Sequence, residues 1–519
     1  MKTQTAKSVS NGDLILKIGM SLAVFLLFLR SGAPILQAAA PSLIKLSLAE
    51  AIEIAFMNNV DIRVEQENVR RNRLSLLLEE SQFDPSLRLD SRADRTVRSS
   101  TSGIETGPSG TNRIVQENQR INAGLNQRFR WGGDYDLNIG QFRSKASFQT
   151  LNPTISGNLL FSFTQPLLQG FGREITQMPI RIAQVDIAIS EVAFQSLVAT
   201  VLLEVANAYW DLVFQLKNQD VQRQTHQSAE RLLASVRAKV ESGLLAPIEI
   251  LVAEAGVASL EESVVIAEKG VQDTEDRLRL LLNLPELSMV APPSIQPTDR
   301  PVQTKKPMDE SNLLKWAVDQ RPEVKENRLL LQNRSRAIRI AEDRLSPSLD
   351  LVGNIGLNGL GGDFTDEIDQ LTSGSFHQWE AGLVLSFPLG NREARTNLRI
   401  EKTEMKKAEL AQEKIVQEIT QETKEGVRRV RTDFQRIKTT RRARLLAEEK
   451  LNAGNERFHL GLISSQDLLE FQDDLADAKA KELKALTDYN KSLVNLDKVT
   501  GTLLNRFRIE ISGNGVAMK

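Results

Sequence analysis

Two periodicities take turns along the chain. In NNVDIRVEQENVRRNRLSLLLEESQFDPSLRLD, from Asn58, Ile62, Val69, Leu76 and Leu77 recur at helical spacing. At Pro85 the period drops to two: Leu87, Leu89, Ser91 and Ala93 alternate with Ser86, Arg88, Asp90 and Arg92. The change recurs 262 residues later in QRPEVKENRLLLQNRSRAIRIAEDRLSPSLDLV, from Gln320. There Val324, Leu331 and Ile338 precede Pro347, and Leu349, Leu351, Gly353 and Ile355 alternate after it. Alternation predicts further strands over 122–131, 135–142, 159–165 and 379–387.

Two more landmarks repeat in the same order. FTQPLLQGFGRE matches LSFPLGNRE, with Pro166 against Pro388, and AERLLASVRAKVESGLLAPIEIL matches AEEKLNAGNERFHLGLISSQDLL, with Gly243 against Gly461. Solenoid repeats run to about 50 residues; this is a duplicated half-protein, each half reading helix, strands, long helix, turn, long helix. Val198, Val201, Val205, Ala208 and Leu212 are spaced 3, 4, 3, 4, as are Val427, Val430, Phe434, Ile437 and Arg441, the seam of a coiled coil. From Arg173 to Glu241 only Pro179, in the first turns, interrupts the helical pattern, which at ~1.5 Å per residue gives a rod of roughly 100 Å. Gly243 with Pro247, and Gly461 alone, turn the two hairpins. The divisions expected are a signal peptide over 1–40, a first repeat over 41–284, a Pro-rich irregular connector over 285–308, a second repeat over 309–505 and a tail over 506–519.

At the strand-to-helix joints, Pro166 cannot donate to a sheet ladder and ends its strand. Gly170 and Gly172 let the backbone bend before the helix, and Pro388 and Gly390 do the same in the second half. GFG within this stretch has neither a βαβ setting nor a downstream ribose-binding acid, so it is no phosphate loop.

Composition narrows the function. Lys and Arg (66) balance Asp and Glu (67), leaving no global pull towards polyanions, and the absence of Cys excludes disulfides, thiolate metal sites and a Cys nucleophile. Lys2, Lys7 and Lys17 precede the apolar run IGMSLAVFLLFL and the small residues of LQAAAP, an export signal. No later segment reads as a transmembrane helix, so an exported chain of this kind enters a membrane only as β-structure. The strands alone leave a soluble β-sandwich open. The helical hairpins count against it: four to six strands cannot close a membrane barrel of about eight, so several chains must pool strands, and pooling also bundles the helices into a tube.

LSLAEAIEIAFMNNVDIR from Leu46, the paired PSL motifs, TQPLLQGFG, LSFPLGNRE and the paired glycine turns, in this order, resemble the TolC-like outer-membrane efflux protein family over nearly the whole mature length. The resemblance implies a mixed β-barrel/α-barrel fold. Three copies would share a twelve-stranded barrel in the lipid of the cell outer membrane, continued by a coiled-coil tunnel across the periplasm. The chain would be the passive exit duct of a tripartite efflux or type I secretion system, partnered by a periplasmic adaptor and an inner-membrane pump. It further implies an acidic ring at the periplasmic gate from Asp467 and Glu470, with Glu249 the matching acid of the first hairpin. An acid in a first helical turn also serves as a plain cap, and Asp467 suits that role. Where the best-known member latches its tip with a tyrosine and an arginine, this chain has Phe458 and Ile463, which supply packing only. Gly243, Leu244, Leu245, Gly461 and Leu462 fall where relatives meet the adaptor, and ordinary hairpin-turn packing accounts for them equally well; Ile463, beside them, is apolar as well. FRWGGDYDLNIGQF in the first half is an extra hairpin-like stretch turning at Gly132-Gly133-Asp134; it could lengthen the barrel wall, fold at the extracellular mouth or sit as an insertion, and the mouth is the placement favoured.

No catalytic constellation, cofactor or metal site is expected: His226, His377 and His459 are scattered and read as surface residues. RRVRTDFQRIKTTRRAR, from Arg428, is a solvated helix face and no nucleic-acid site, since an apolar seam runs through it. The rival reading is a surface-anchored structural or adhesive coiled-coil protein, which has no need of the duplication or of two matched turns.

Overall fold

The computed structural model describes residues 43–99, 113–146, 150–284, 293–512 and 515–518; the expected signal peptide and part of the connector lie outside them. In chain order the elements are β1 (Leu43–Leu46), α1 (Leu48–Asn58), α2 (Val60–Ser81), β2 (Ser86–Ser99), β3 (Arg113–Arg128), β4 (Asp134–Ala146), β5 (Thr154–Pro166), α3 (Gly172–Thr176), α4 (Met178–Glu241) and α5 (Ile248–Leu282). The second half adds β6 (Ser294–Pro297), α6 (Glu310–Gln320), α7 (Pro322–Asp343), β7 (Ser348–Gly361), α8 (Phe364–Ser373), β8 (His377–Ser386), α9 (Arg392–His459), α10 (Ser465–Val499), α11 (Leu503–Arg506), β9 (Ile509–Ser512) and β10 (Gly515–Met518). The duplication survives in the lengths. Helices α2 and α7 have 22 residues each, α5 and α10 have 35 each, and α4 and α9 have 64 and 68.

Six strands form one antiparallel sheet in the order β2-β3-β4-β5-β7-β8. Residues facing each other across such a ladder share a face. One face carries Leu87, Leu89, Ile121, Leu125, Leu137, Ile139, Leu159, Phe161, Leu351, Ile355, Trp379 and Leu383. Many of these are exposed, Trp379 at 74% and Leu383 at 65%. From Leu349 to Leu357 this apolar band spans nine residues of β7, about 20 Å of height at the usual rise and barrel tilt. The other face is mostly polar: Asn122 Nδ2 donates to Asp90 (3.0 Å), Asn118 to Asp94 (2.8 Å) and Asn354 to Glu380 (2.9 Å). Phe129, Trp131, Tyr135, Phe161 and Phe163 form a chain of ring contacts at the helix end of the sheet, and Phe129 stacks on Trp131 at 4.9 Å. An apolar band edged by aromatic rings is the pattern lipid selects.

Three expectations need correction here. The extra hairpin is not at the extracellular mouth. Its turn lies at the helix end, where Gln127 Nε2 donates to Phe83 O (3.0 Å) and Gln177 Nε2 to Arg130 O (3.4 Å), and its strands β3 and β4 are full members of the sheet. Twelve strands shared by three chains need four from each, whereas this chain has six in one ladder. The first long helix does not run from Arg173: α3 ends at Thr176, and α4 starts at Met178 with Pro179 at its beginning, where a missing N–H costs nothing.

The helices that meet the sheet pack side by side in the order α2-α4-α7-α9; farther from it the order is α5-α4-α10-α9. Helix α4 is, against expectation, long and apolar enough by length and composition to pass as a membrane span. Its apolarity serves the main core: Val198, Val201, Leu202, Val205, Tyr209 and Leu212 pack with Ile52, Phe56, Leu278, Leu282 and Ile295. The second seam buries Val427, Val430 and Ile437, with Phe434 against Tyr489, but Arg441 is exposed, since the next position of α9 to reach α10 is Arg444, which donates to Glu482. Around mid-length, short segments belt the rods. The connector is not wholly irregular, because β6 pairs in parallel with β1, and Asp299 just after it accepts from Tyr209 Oη (2.7 Å) and Leu48 N (2.6 Å). The tail contains the β9-β10 hairpin.

Candidate functional site at the hairpin tips

Both helical hairpins turn the same way. Gly243 and Gly461 hold φ of 76° and 75°, the left-handed region where a Cβ is costly. Gly243 N donates to Val240 O (2.9 Å) and Leu244 N to Lys239 O (2.8 Å); Gly461 N to Phe458 O (3.1 Å) and Leu462 N to Arg457 O (2.9 Å). Each pair is the 5→2 and 6→1 closure of a Schellman motif, which satisfies the last carbonyls of α4 and α9.

The two tips pack on each other over a small core of Leu232, Val236, Ala253, Leu260, Phe458, Leu468 and Leu469. Phe458 is buried, and Ile463 and Leu245 are partly buried against this core. Leu244 and Leu462, expected beside them on the same surface, point outwards at 74% and 63% exposure. Phe458 also has polar contacts: Lys239 donates Nζ to its carbonyl (2.9 Å) and sits 4.1 Å over its ring. A cation at the last turn of α4 therefore serves the carboxyl end of α9 as well.

The acids meet at the amino end of α10. Asp467 accepts from Ser464 N (2.9 Å) and Oγ (2.7 Å) while donating its own N–H to Ser464 Oγ (3.2 Å), a capping box. The Ser464 bonds hold the Asp467 carboxyl below its ordinary pKa. Glu249, in the first turn of α5, accepts from Ser465 N (3.2 Å) and from Ser465 Oγ, and so ties the start of one hairpin's return helix to the start of the other's. Glu470 is exposed one turn along from Asp467, on the same side of α10. The cap reading of Asp467 is thus realised, with one carboxylate oxygen doing the capping. Lys239 and Ser465 escaped the sequence reading. A Lys in a last turn and a Ser in a first turn are common, and their partners lie 219 and 216 positions away.

At the opposite end of the rods, Pro166 closes β5, and Gly170, Gly172 and Gly390 take φ of 77°, 90° and 87°. The halves interlock there: Leu167 N donates to Leu349 O (2.7 Å), Gln169 N to Pro347 O (3.3 Å) and Gly170 N to Asp343 (2.8 Å). Pro388 O accepts from Asn391 N (3.0 Å), whose side chain reaches Leu345 O (3.2 Å). Among the described residues no group of His, Asp and Glu is placed to hold a metal ion. His377 and His459 are exposed; His226 is partly buried beside Glu230.

Comparison with known proteins returns outer membrane channels of similar fold. The CmeC outer membrane channel of Campylobacter jejuni superposes with a TM-score of 0.66 at 16% identity, covering 88% of this chain and 86% of that one. The outer membrane protein VceC of Vibrio cholerae gives 0.62 at 16%, covering 88% and 96%. At such identities the likeness concerns the fold. The fusaric acid resistance protein FusA of Burkholderia cepacia is 24% identical over 200 residues, 36% of this chain, and the match spans about a third (34%) of that protein. The outer membrane efflux protein family matches residues 51–284 and 313–502, both repeats and most of the chain. This chain belongs to the outer membrane efflux protein family.

Proposed function

We propose that three copies close into one duct across the outer membrane and periplasm, the passive exit of a tripartite export system. One observation carries this reading: the chain is a strip whose two edges are unfinished in both layers. The sheet ends on β2 and β8, and the helical layer beneath ends on α2 and α9, so β2 lies over α2 and β8 over α9. An open strand edge in lipid leaves N–H and C=O groups unsatisfied, at several kcal/mol each. The edge helices also expose apolar side chains, Leu74, Leu77 and Leu78 on α2 and Ile400 and Leu410 on α9. With six strands in the sheet, β2 and β8 run in opposite directions, so β8 of one copy meets β2 of the next as an antiparallel pair.

In that ring the tips converge on the axis at the periplasmic end. Asp467 and Glu470 line the constriction as an acidic ring selective for cations. Glu249–Ser465 and Lys239–Phe458 hold it closed, in place of a tyrosine–arginine latch. Leu244 and Leu462 offer apolar knobs to the adaptor, which couples the duct to an inner-membrane pump. FusA's name favours a small organic molecule as cargo. The polar sheet face suits a conduit that does no chemistry.

Native mass spectrometry and SDS resistance of the detergent-purified protein test the assembly: a trimer is expected. A monodisperse monomer in detergent would support the surface-anchored adhesive coiled-coil reading instead.

A further inference from the structure

We infer that the membrane part of this duct is an eighteen-stranded barrel, closed by β8 of each copy on β2 of its neighbour. The β3-β4 hairpin is built into its wall. The inference rests on the three-copy reading above and concerns what each copy contributes.

Strand β2 corresponds by the internal repeat to β7, because both follow a PSL corner, and β5 corresponds to β8, because both precede a proline joint. The second half needs only those two strands. Strands β3 and β4 are therefore an insertion into the first half, and its side chains show where it belongs. Ile121 and Leu125 on β3, and Leu137 and Ile139 on β4, continue the apolar band without a gap between Leu87 and Leu89 on one side and Leu159 and Phe161 on the other. Ile121 and Ile139 are both more than half exposed on that face. A plug or an extracellular flap would present polar groups at this height. On the opposite face Asn122 sits across from Asp90, and Asn122 and Asn158 flank Gly140 from either side. The hairpin thus has an outside and an inside, in register with the rest of the sheet.

The helical end fixes the insertion in place. The turn is closed by Phe129 N to Gly133 O (2.7 Å). Phe83 accepts from Gln127, and Arg130 lies 5.9 Å over the Phe83 ring, at the corner between α2 and β2. The geometry of the two layers agrees as well. Four helices at about 9 Å spacing span ~36 Å of circumference per copy. Six strands at ~4.8 Å, tilted by ~40°, span ~38 Å, whereas four would span only ~25 Å. Six strands therefore sit over four helices with little splay. Barrel diameter grows roughly linearly with strand number, so the pore would be about half as wide again as a twelve-stranded one.

The test is single-particle cryo-electron microscopy of the full-length protein in lipid nanodiscs, with disulfide mapping beside it. Eighteen strands in a section through the membrane are expected. The chain has no cysteine, so Arg88→Cys with Val384→Cys introduces the only thiols, and Arg92→Cys with Val384→Cys covers a register shifted along the edge. Within one copy β2 and β8 are the two outermost strands of six, too far apart to bridge, so oxidation should give a covalent trimer on a non-reducing gel. A trimer with twelve strands and 113–146 outside the wall would overturn this inference and leave the duct standing. A covalent dimer, or a monomer closed on itself, would overturn the three-copy reading as well.

Discussion

Glu249 in the first turn of α5 accepts from Ser465 N at 3.2 Å and from the Ser465 hydroxyl, although 216 positions separate them. Ser465 is fully buried, so the bond fixes the relative height of the two hairpins at their tips. A hydrogen bond to a charged group contributes about 1.5–3 kcal/mol, and part exposure of Glu249 reduces that to about 1 kcal/mol. Glu249→Ala is expected to raise the ratio of open to closed channel about fivefold, read as open probability in single-channel records. An unchanged open probability would show that this bond does not hold the tip.

Lys239 binds Phe458 twice, through the carbonyl and over the ring. Lys239→Met keeps the stem and removes the charge, and Phe458→Leu keeps most of the packing and removes the ring. Because a cation–π contact contributes about 0.5–2 kcal/mol, a double-mutant cycle on open probability should give a coupling near 1 kcal/mol. Strict additivity would assign Phe458 to packing alone.

Asp467 carries a pH dependence of known sign. The Ser464 bonds lower its pKa in the folded chain, so the capping box is at full strength above the ordinary carboxylate value, about 3.9. It is lost as pH falls through the lower folded value. Hydrogen exchange in the first turn of α10 should quicken, relative to intrinsic rates, as pH drops below that range. In Asp467→Asn this step should vanish.

The proposed acidic ring predicts block by divalent cations. Cobalt added at the tip side should reduce wild-type conductance, and a chelator should restore it. Asp467→Asn with Glu470→Gln should lose both the block and most cation selectivity. Since Asp467 already caps α10, Glu470→Gln alone should account for the larger part.

The exposed Leu244 and Leu462 make a separable prediction for the adaptor. Leu244→Asp with Leu462→Asp places charge on the outward knobs and none in the tip core. Export by the assembled system should fall at least tenfold while the trimer and its conductance stay intact. Normal export would remove these residues from the docking surface.

Much of this architecture was legible because local rules wrote it. Period-two alternation after Pro85 and Pro347, positive-φ glycines at 243 and 461, and proline at 166 each act within a few residues. The repeat then checked each against its copy. What escaped depends on distant partners. Four residues of β1 carry no strand signal of their own and become a strand by pairing with β6, 251 positions away. Arg441 fits the heptad on paper, yet it projects to solvent, because beyond Ile437 the side of α9 facing α10 has shifted to Arg444, which bonds Glu482. The extra hairpin showed its turn in Gly132-Gly133, but a turn does not say at which end of a barrel it lies; Phe83 and Gln177 decide that. The tip was half readable: its acids and glycines were found, and the Lys239 and Ser465 that hold them were not.

The central claim is that this chain forms a gated conduit, and planar-bilayer recording of the purified protein tests it most directly. Small, discrete, cation-selective steps are expected from wild type, growing in size and duration in Glu249→Ala with Lys239→Met. Silent bilayers from wild type and from that double variant, with the protein verified as inserted, would contradict it.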